Sequence, residues 1–209
     1  MDLHPEEPDL GPFVPVDADG LLALVGRPSL TLVDGRSGAG KSTFAEALAA
    51  ALGADVVHTD DVAWHLSRFA WDGELVSGVL DPWRRGGPVD FRPPGWVTHG
   101  REGAVTARAE APLVVEGVGA ARASLAPLAD LVVWVASDRA VARTRGIARD
   151  ASYGTRTPEE AEAFWDEWMT EEEPFLAGDR PWERAHLVVL GTPPDGGIWV
   201  AAREVHQGM

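Results

Sequence analysis

The sequence predicts an α/β protein built around a mainly parallel sheet. Short apolar segments alternate along the chain with segments of helical periodicity, which is the pattern of parallel strands connected by helices. The five strand candidates are continuous apolar runs, as expected for strands that are covered on both faces. They are Leu30–Val33, Asp55–His58, Leu113–Val115, Leu131–Ala136 and Leu187–Leu190. At 209 residues the chain is long enough for one well-buried domain.

Helices are predicted between these strands. Asp17 can cap a short helix over ADGLLALVG, because its side chain can accept from the first free N–H groups. A second helix should run from Lys41 to about Leu52, and Gly53 should end it. Two more helices are expected at roughly residues 138–150 and 158–173.

The expected organisation is a poorly ordered leader followed by one domain. Residues 1–16 are acidic and rich in proline, so they form the expected leader, and residues 17–209 form the domain. The stretch at about 64–104 is rich in Trp, Gly and Pro and should line a substrate pocket. A lid that carries arginines is expected over about residues 139–157.

The composition excludes several classes of function. A net charge of −15 argues against nucleic acid as a partner, because a phosphate backbone attracts clustered Lys and Arg. The chain has no cysteine, which excludes disulfides, thiolate nucleophiles and cysteine-based zinc sites. No apolar run approaches the about 18 residues that a membrane span needs, and the first residues lack the pattern of a secretion signal. These features predict a cytoplasmic protein with no membrane partner.

The segment GRSGAGKS, Gly35 to Ser42, fits the phosphate-binding pattern G-x-x-x-x-G-K-[ST]. It follows an apolar strand candidate and precedes a helix, as this motif requires. Glycines let the backbone turn its N–H groups toward phosphate oxygens, and the helix N-terminus adds partial positive charge. The predicted nucleotide contacts are Gly35, Arg36, Ser37, Gly38, Ala39, Gly40, Lys41, Ser42 and Thr43.

Lys41 is the single lysine of the chain. In this motif the lysine ammonium reaches the β- and γ-phosphates, and the hydroxyl of the next residue, Ser42, can bind Mg²⁺. A regulatory GTPase would need a second lysine in its base-reading N-K-x-D element, so that class is excluded. A motor-type ATPase is typically longer. The sequence therefore predicts a P-loop kinase for a small hydroxylated molecule, with ATP and Mg²⁺ as cofactors.

Such a kinase needs a carboxylate that activates the attacking hydroxyl. Asp60 and Asp61 follow the second strand candidate, at the carboxyl end where α/β folds bind ligands. Asp60 is the predicted base and a possible metal contact. Asp61 is a possible contact of a Mg²⁺-bound water or of the substrate, although it could simply cap a helix. The preceding His58 is interpreted as structural.

The third strand candidate ends in LVVEG. An acid here, Glu116, can hold the Mg²⁺ shell in the manner of a Walker B acid. The alternative is an acid that faces solvent at the end of a strand.

Several motifs together resemble the uridine kinase family, whose broader group includes phosphoribulokinase and bacterial pantothenate kinase. The P-loop, the Asp pair, PVDF at 88–91, VTHGR at 97–101 and VVEG at 114–117 follow the order of that family, over about residues 30–150. The resemblance implies a P-loop NTPase fold with a five-stranded parallel sheet. Its implied order is 2-3-1-4-5, counted along the strand candidates, with helices on both faces. It also implies Asp60 as general base, His99 near the base or sugar with Arg101 close by, and self-association into a homo-oligomer.

The sequence departs from that family in the expected acceptor pocket. Trp64 is the nearest substitute for a family aromatic residue, and RPPGW, which contains Trp96, is inserted before His99. The segment that carries a sugar-binding aspartate in the family is shortened, and Asp72 is the residue assigned to that role. These changes affect the identity of the acceptor more than the reaction.

Arginines four residues apart follow the fourth strand candidate. Arg145 and Arg149 share one helix face, and Arg139 and Arg143 form a similar pair. In a kinase lid such residues neutralise charge that develops on the transferred phosphoryl group. RGIARD resembles the lid motif of uridine kinases. The alternative is a solvated helix face.

Two groups of aromatic residues are interpreted separately: the first could have a binding or a structural role, and the second is interpreted as structural. Trp64, Trp71, Trp83 and Trp96 could stack on a flat substrate or could form a small core. Phe164, Trp165, Trp168 and Met169 have helical spacing, which favours core packing. Thr192 and Pro193 follow the last strand candidate and are weak candidates for nucleotide contacts.

The predicted function is transfer of the γ-phosphate of ATP to a hydroxyl of a small molecule, and a nucleoside such as uridine or cytidine is favoured. One alternative is a kinase of a non-nucleoside alcohol, such as a sugar, a pantothenate-like compound or a secondary metabolite. Another is an accessory protein that binds nucleotide and hydrolyses it slowly.

Overall fold

A computed structural model describes residues 1–4, 6–8 and 12–202. Its strands are β1 (Val14–Val16), β2 (Leu30–Gly35), β3 (Asp55–His58), β4 (Val89–Phe91), β5 (Val105–Ala107), β6 (Leu113–Glu116), β7 (Leu131–Ala136), β8 (Leu187–Leu190) and β9 (Ile198–Ala202). All five predicted strands are present, and the first and third extend slightly further than predicted.

The central sheet has the order β3-β6-β2-β7-β8-β9-β1. The five strands from β3 to β8 are parallel, in the order 2-3-1-4-5 that the sequence predicted. The predicted number of five strands is wrong, because β9 and β1 add two antiparallel strands and make the sheet seven-stranded. Pro15 lies in the outermost strand, where a missing N–H costs no ladder bond. This strand falls within the leader expected over residues 1–16.

The helices connect and cover the strands. They are α1 (Ala18–Val25), α2 (Lys41–Leu52), α3 (Thr59–Ala63), α4 (Asp72–Leu75), α5 (Asp81–Arg84), α6 (Pro94–Thr98), α7 (Arg139–Ser152) and α8 (Pro158–Asp179). The expected cap is present, because the Asp17 carboxylate accepts from the Gly20 N–H at 2.8 Å. Helix α8 begins with a capping box between Thr157 and Glu160, and it runs six residues beyond its predicted end.

Each face of the sheet has its own apolar core. On one face α1 and α2 pack through Leu21, Phe44 and Leu48 against alternate residues of the sheet. The other face carries α8 and the segment from α4 to α6, with Leu75, Leu176 and other fully buried side chains. Strands β2, β6, β7 and β8 are buried on both faces, so their continuous apolar runs follow from the layered packing, whereas β3 at the edge of the sheet is only partly buried.

The segment expected to line the pocket, 64–104, contains short helices and one strand of the hairpin β4–β5. Its four tryptophans divide into two pairs. Trp71 is fully buried, and Trp83 packs on the core while its Nε1 donates to the Ala111 carbonyl at 2.8 Å. Trp96 is also buried in this core and Trp64 packs against it, but this second pair also contacts the candidate site residues described below. Within the described residues, no helix has the length and apolar character of a membrane span.

Candidate active site

The P-loop connects β2 to α2 and is enclosed by two neighbouring segments. Gly38 has φ +73°, and a Cβ there would lie 2.1 Å from the Ala142 carbonyl oxygen of α7. Gly40 has φ +98°, and its Cβ would lie 2.8 Å from the Gly191 carbonyl oxygen after β8. Only glycine fits both the backbone conformation and the space. The loop is therefore held between the lid helix and the segment that follows β8.

Lys41 is buried at the start of α2. Its Nζ donates to the Arg36 carbonyl at 3.0 Å, so the ammonium spans the P-loop. The Arg36 guanidinium does not share this position, because its Nε binds the Glu7 carboxylate at 2.7 Å and both side chains are buried. The main-chain carbonyl of Arg36 thus contacts Lys41 within the P-loop, while the Arg36 side chain connects the loop to residues before β1.

Sequence reasoning missed Asp34, the last residue before the P-loop. Its buried carboxylate accepts from the N–H groups of Gly35, Gly119 and Ala121 at 2.7–2.9 Å. Burial raises the pKa of Asp34 to about 6, although these bonds and the charge of Lys41 act in the opposite direction. Asp34 joins the P-loop to the loop after β6. An acid inside a fully buried strand was the sequence signal for this role.

Glu116 is buried at the end of β6, which contradicts the alternative of a solvent-facing acid. Its Oε1 accepts from the Ser42 hydroxyl at 3.1 Å and lies 2.5 Å from Nδ1 of His58, its partner in the strand register. Burial opposes ionisation, but the bond from His58 and the charge of Lys41 lower the pKa of Glu116. The same bond raises the pKa of His58. His58 therefore orients the carboxylate.

The residues around Glu116 fit a Mg²⁺ ion that is also bound by phosphate oxygens. The buried Oε2 of Glu116 has no hydrogen-bond partner among the described residues, and it is a hard oxygen donor beside the Ser42 hydroxyl. Within all the described residues, no cluster of three or more acidic or His side chains could hold a metal alone. Mg²⁺ in phosphoryl-transfer sites is typically bound by one or two carboxylates together with the substrate's phosphates, so the donor set is suitable.

Asp60 lies in the first turn of α3, directly after β3. The Asp60 residue is partly exposed to solvent. The protein packed around its carboxylate nevertheless removes part of the hydration of the charged form, which raises the pKa of Asp60. The charges of Glu116 and Asp61 act in the same direction, while those of Lys41 and Arg149 lower the pKa. Asp60 is thus electrostatically linked to the P-loop, to the acid of β6 and to the lid helix.

The predicted acceptor residues Asp61, Trp64, Trp96, His99 and Arg101 form one cluster. Arg101 donates to the Asp61 carboxylate at 2.7 Å and stacks on the Trp96 ring at 3.6 Å. The Trp96 Nε1 donates to the Asp61 carbonyl at 2.8 Å. Trp64 meets the His99 ring edge-on, with ring centroids 5.8 Å apart. Asp61 therefore pairs with an arginine, and the suggestion that it caps a helix has no support.

His65, which the sequence did not single out, joins this acceptor cluster. Its ring stacks on His99 with centroids 3.8 Å apart, and its backbone has φ +58°. A non-glycine residue in this region is uncommon and is held by its surroundings.

Asp72 is not part of the acceptor cluster. Its carboxylate accepts from the Ser124 hydroxyl at 2.7 Å and lies 3.5 Å from Nη1 of Arg122. Arg122 is buried against the Trp71 ring and also donates to the carbonyl oxygens of Gly119 and Phe69. Asp72 thus ties α4 to the loop after β6, and its contacts are structural.

The lid arginines separate into two faces of α7. Arg139 and Arg143 pair with Glu173 and Glu162 of α8. Arg145 and Arg149 instead line a cleft of about 500 Å³ beside the P-loop. Arg145 donates to the Gly191 carbonyl at 3.0 Å. The segment after β8, including Gly191 and Pro193, lines the same cleft. The pair that faces the cleft is the one that the sequence assigned to catalysis.

No family model matches this chain, and no curated protein matches it. Its structure is similar to one described as a possible uridine kinase from Bacillus stearothermophilus, at TM-score 0.49 and 21% identity, over 82% of this chain and 94% of that one. It is also similar to a protein from Silicibacter sp. TM1040 that is provisionally described as a fructose transport system kinase. That likeness has TM-score 0.45 and 21% identity, and it covers 80% of this chain and 92% of the other.

Proposed function

We propose that this protein transfers the γ-phosphate of ATP to a hydroxyl of a small molecule. The observation that carries the proposal is that Asp60 lies in the first turn of α3, directly after β3 and next to Asp61, which binds Arg101 of the ring-lined cluster. The pKa of Asp60 responds to the charges of Lys41, Glu116 and Arg149, so the carboxylate is within electrostatic reach of all three. A protein that merely bound nucleotide would not need a carboxylate at this place.

The nucleotide is proposed to bind along the P-loop and the adjoining cleft. The main-chain N–H groups of Gly38 to Ser42 and the Lys41 ammonium hold the phosphates. Ser42 and Glu116 would hold Mg²⁺, with Asp60 as a further candidate, and the ion would neutralise charge on the β- and γ-phosphates. Arg145 and Arg149 of α7 also line the cleft and would supply positive charge to the phosphates.

Asp60 is proposed to orient the acceptor hydroxyl and to take its proton as the new P–O bond forms. Its raised pKa brings the carboxylate closer to the pH at which a base accepts a proton effectively. The balance is simple: the acceptor oxygen bonds to the γ-phosphorus, the bond to the β-phosphate oxygen breaks, and ADP leaves.

The acceptor is proposed to bind at the cluster of Asp61, Trp64, Trp96, His99 and Arg101. Aromatic rings beside hydrogen-bonding side chains suit a nucleoside, which has a flat base and a polyhydroxy sugar. One feature favours a non-nucleoside alcohol instead. Arg101 already covers the Trp96 ring, and His65 covers His99, so two ring faces are occupied by protein.

The test is release of ADP from Mg²⁺·ATP in the presence of nucleosides, sugars and vitamin-like alcohols, with Lys41→Ala as the blank. We expect stimulation by at least one hydroxyl acceptor and a loss of at least about 10³-fold in the variant, which lacks the phosphate-binding ammonium. Stimulation by sugars or other alcohols alone would retain the reaction and change the acceptor. An acceptor-independent, slow release would favour the accessory protein. Full turnover by Lys41→Ala would overturn the proposed site.

A further inference from the structure

The first half of the P-loop is bound by a buried carboxylate from α8. Glu172 is fully buried. Its two oxygens accept from the Ser37 N–H at 3.1 and 3.3 Å, and Oε2 accepts from the Ser37 hydroxyl at 2.6 Å. The indole N–H of Trp168, one turn earlier on α8, donates to the same Oε2. Ser37 and Glu172 are 135 residues apart in the chain.

All three of these donors are neutral. Within the described residues no ion pair includes Glu172, whereas Glu7, another carboxylate that binds the loop, pairs with the Arg36 guanidinium. A buried carboxylate with neutral donors depends on their exact positions, because each lost bond leaves a desolvated oxygen. The geometry of Ser37 and that of Glu172 are therefore fixed together.

The same α8 is packed against the helix that carries the lid arginines. A Cβ on Gly146 of α7 would lie 1.9 Å from the Trp165 ring of α8, so the two helices approach as closely as glycine allows. Arg143 of α7 also binds Glu162 of α8 at 2.5 Å. Helices α7 and α8 thus form a tightly packed hairpin.

Arg145 and Arg149 project from this hairpin into the nucleotide cleft. Their position relative to the P-loop depends on what fixes the hairpin to the loop. Among the described residues, two contacts connect the hairpin to the P-loop. They are the close approach of Gly38 to Ala142 of α7, and the bonds between Ser37 and Glu172 of α8. The first is a van der Waals contact, while the second is directional.

We propose that Glu172 is a positioning residue that sets the lid arginines against the third phosphate of a bound nucleoside triphosphate. The inference rests on the proposed function for the identity of that ligand. Glu172 touches neither the nucleotide nor the acceptor; it acts through Ser37 on one side and through α7 on the other. Its contribution is selectivity for the triphosphate over the diphosphate, since only the triphosphate carries the group that the arginines would contact.

The experiment measures dissociation constants of Mg²⁺·ADP and of a non-hydrolysable Mg²⁺·ATP analogue by calorimetry, without acceptor. In the wild type we expect the analogue to bind more tightly. In Glu172→Ala we expect the ratio of the two constants to fall at least about tenfold, mostly through the triphosphate. A purely structural role would weaken both nucleotides equally and leave the ratio unchanged.

Conservative variants separate the bonds to Ser37 from the bond to Trp168. Glu172→Gln keeps the shape of the side chain and can still form hydrogen bonds with Ser37. Its amide N–H would face the Trp168 N–H, so two donors would point at each other. We therefore expect an intermediate ratio, which the added Trp168→Phe change should restore toward the wild-type value. Trp168→Phe alone should keep the ratio within about twofold, because both Ser37 bonds remain.

Glu171→Ala is the matched control for charge and helix position. Glu171 is a half-exposed neighbour on α8 and pairs with Arg68, which also lies over the Trp168 ring at 5.3 Å, so its loss should change the ratio no more than Trp168→Phe does. Thermal unfolding of each variant verifies folding, and Glu172→Gln carries the test if the alanine variant does not fold.

The outcomes distinguish the two proposals. If the wild type binds neither nucleotide, the proposed function fails and the inference fails with it. If the wild type prefers the triphosphate and folded Glu172 variants keep that preference, the inference alone is overturned. Equal binding of both nucleotides by the wild type would also overturn it.

Discussion

The phosphate side and the acceptor side of this cleft are built in different ways. On the phosphate side, the groups that shape the site are buried, and Asp34 and Glu172 bind its main-chain N–H groups. On the acceptor side, His65 and His99 are exposed and the rings stack on one another at the ends of short helices. The first region is fixed by hydrogen bonds to the backbone, and the second mainly by contacts between side chains, together with the bond from the Trp96 indole to the Asp61 carbonyl. Substitutions should therefore change the acceptor far more easily than the reaction.

The largest expected effect tests where the two regions meet. Asp60→Asn should lower kcat by about 10²–10⁴-fold with little change in ATP affinity, because the amide cannot take a proton from the acceptor hydroxyl. The measurement is steady-state turnover with the acceptor found in the panel, together with calorimetric binding of Mg²⁺·ATP.

Asp61→Asn is the matched control for this prediction. Its carboxylate is bound to Arg101, so its loss should act mainly on the KM of the acceptor and lower kcat by less than about tenfold. A larger loss of kcat in Asp61→Asn than in Asp60→Asn would reverse the two assignments.

The second prediction concerns the rigidity of the phosphate side. Burial raises the pKa of Asp34 from 3.8 to about 6, so between these values the folded protein binds more protons than the unfolded chain. The stability contributed by the protonated carboxyl is present below about pH 4 and is lost as the pH rises through about 6. Asp34→Asn lacks this titration.

We therefore expect the free energy of unfolding of the wild type, relative to Asp34→Asn, to fall by about 2 kcal/mol between pH 4 and pH 7. Urea unfolding of both proteins at several pH values measures this difference. A difference that is independent of pH, or that grows with pH, would contradict the prediction and would mean that the bonds to Gly35, Gly119 and Ala121 keep the carboxylate ionised throughout.

The smallest expected effect concerns the acceptor side. His99→Ala should raise the KM of the acceptor by up to about tenfold, because one exposed ring contact is worth about 0.5–1.5 kcal/mol. The KM of ATP and the stability should change little. Thr98→Ala, an exposed neighbour on α6, is the control and should leave both KM values unchanged. A loss of ATP affinity in His99→Ala would show that the two sides are not separable.

The parallel strands could be predicted because they are short apolar runs, and the resemblance to uridine kinases implied their order. Sequence reasoning missed the two antiparallel strands at the edge of the sheet. Strand β1 contains Pro15 and is half exposed, and β9 pairs with it across a separation of more than 180 residues. Short edge strands carry a weak pattern, and their pairing depends on contacts that are distant in the chain.

The candidate site also contains residues that the sequence could place and residues whose position depends on distant contacts. The P-loop, Asp60 and Glu116 could be predicted, because a local motif or the end of a strand specifies their positions. Asp72 could not be placed from the sequence. Its partners Ser124 and Arg122 lie about 50 residues away, and they hold it outside the acceptor cluster.

The sequence by itself determined the phosphate-binding loop, the parallel strands around it and the acids at their carboxyl ends, since these depend on short-range patterns. Only the tertiary structure decided which side chains support that loop and which tryptophans face the acceptor side. Glu172 on Ser37, Glu7 on Arg36 and Arg101 on Asp61 are contacts between segments that are 135, 29 and 40 residues apart. Each forms only because packing of the helices against the two faces of the sheet brings those segments together.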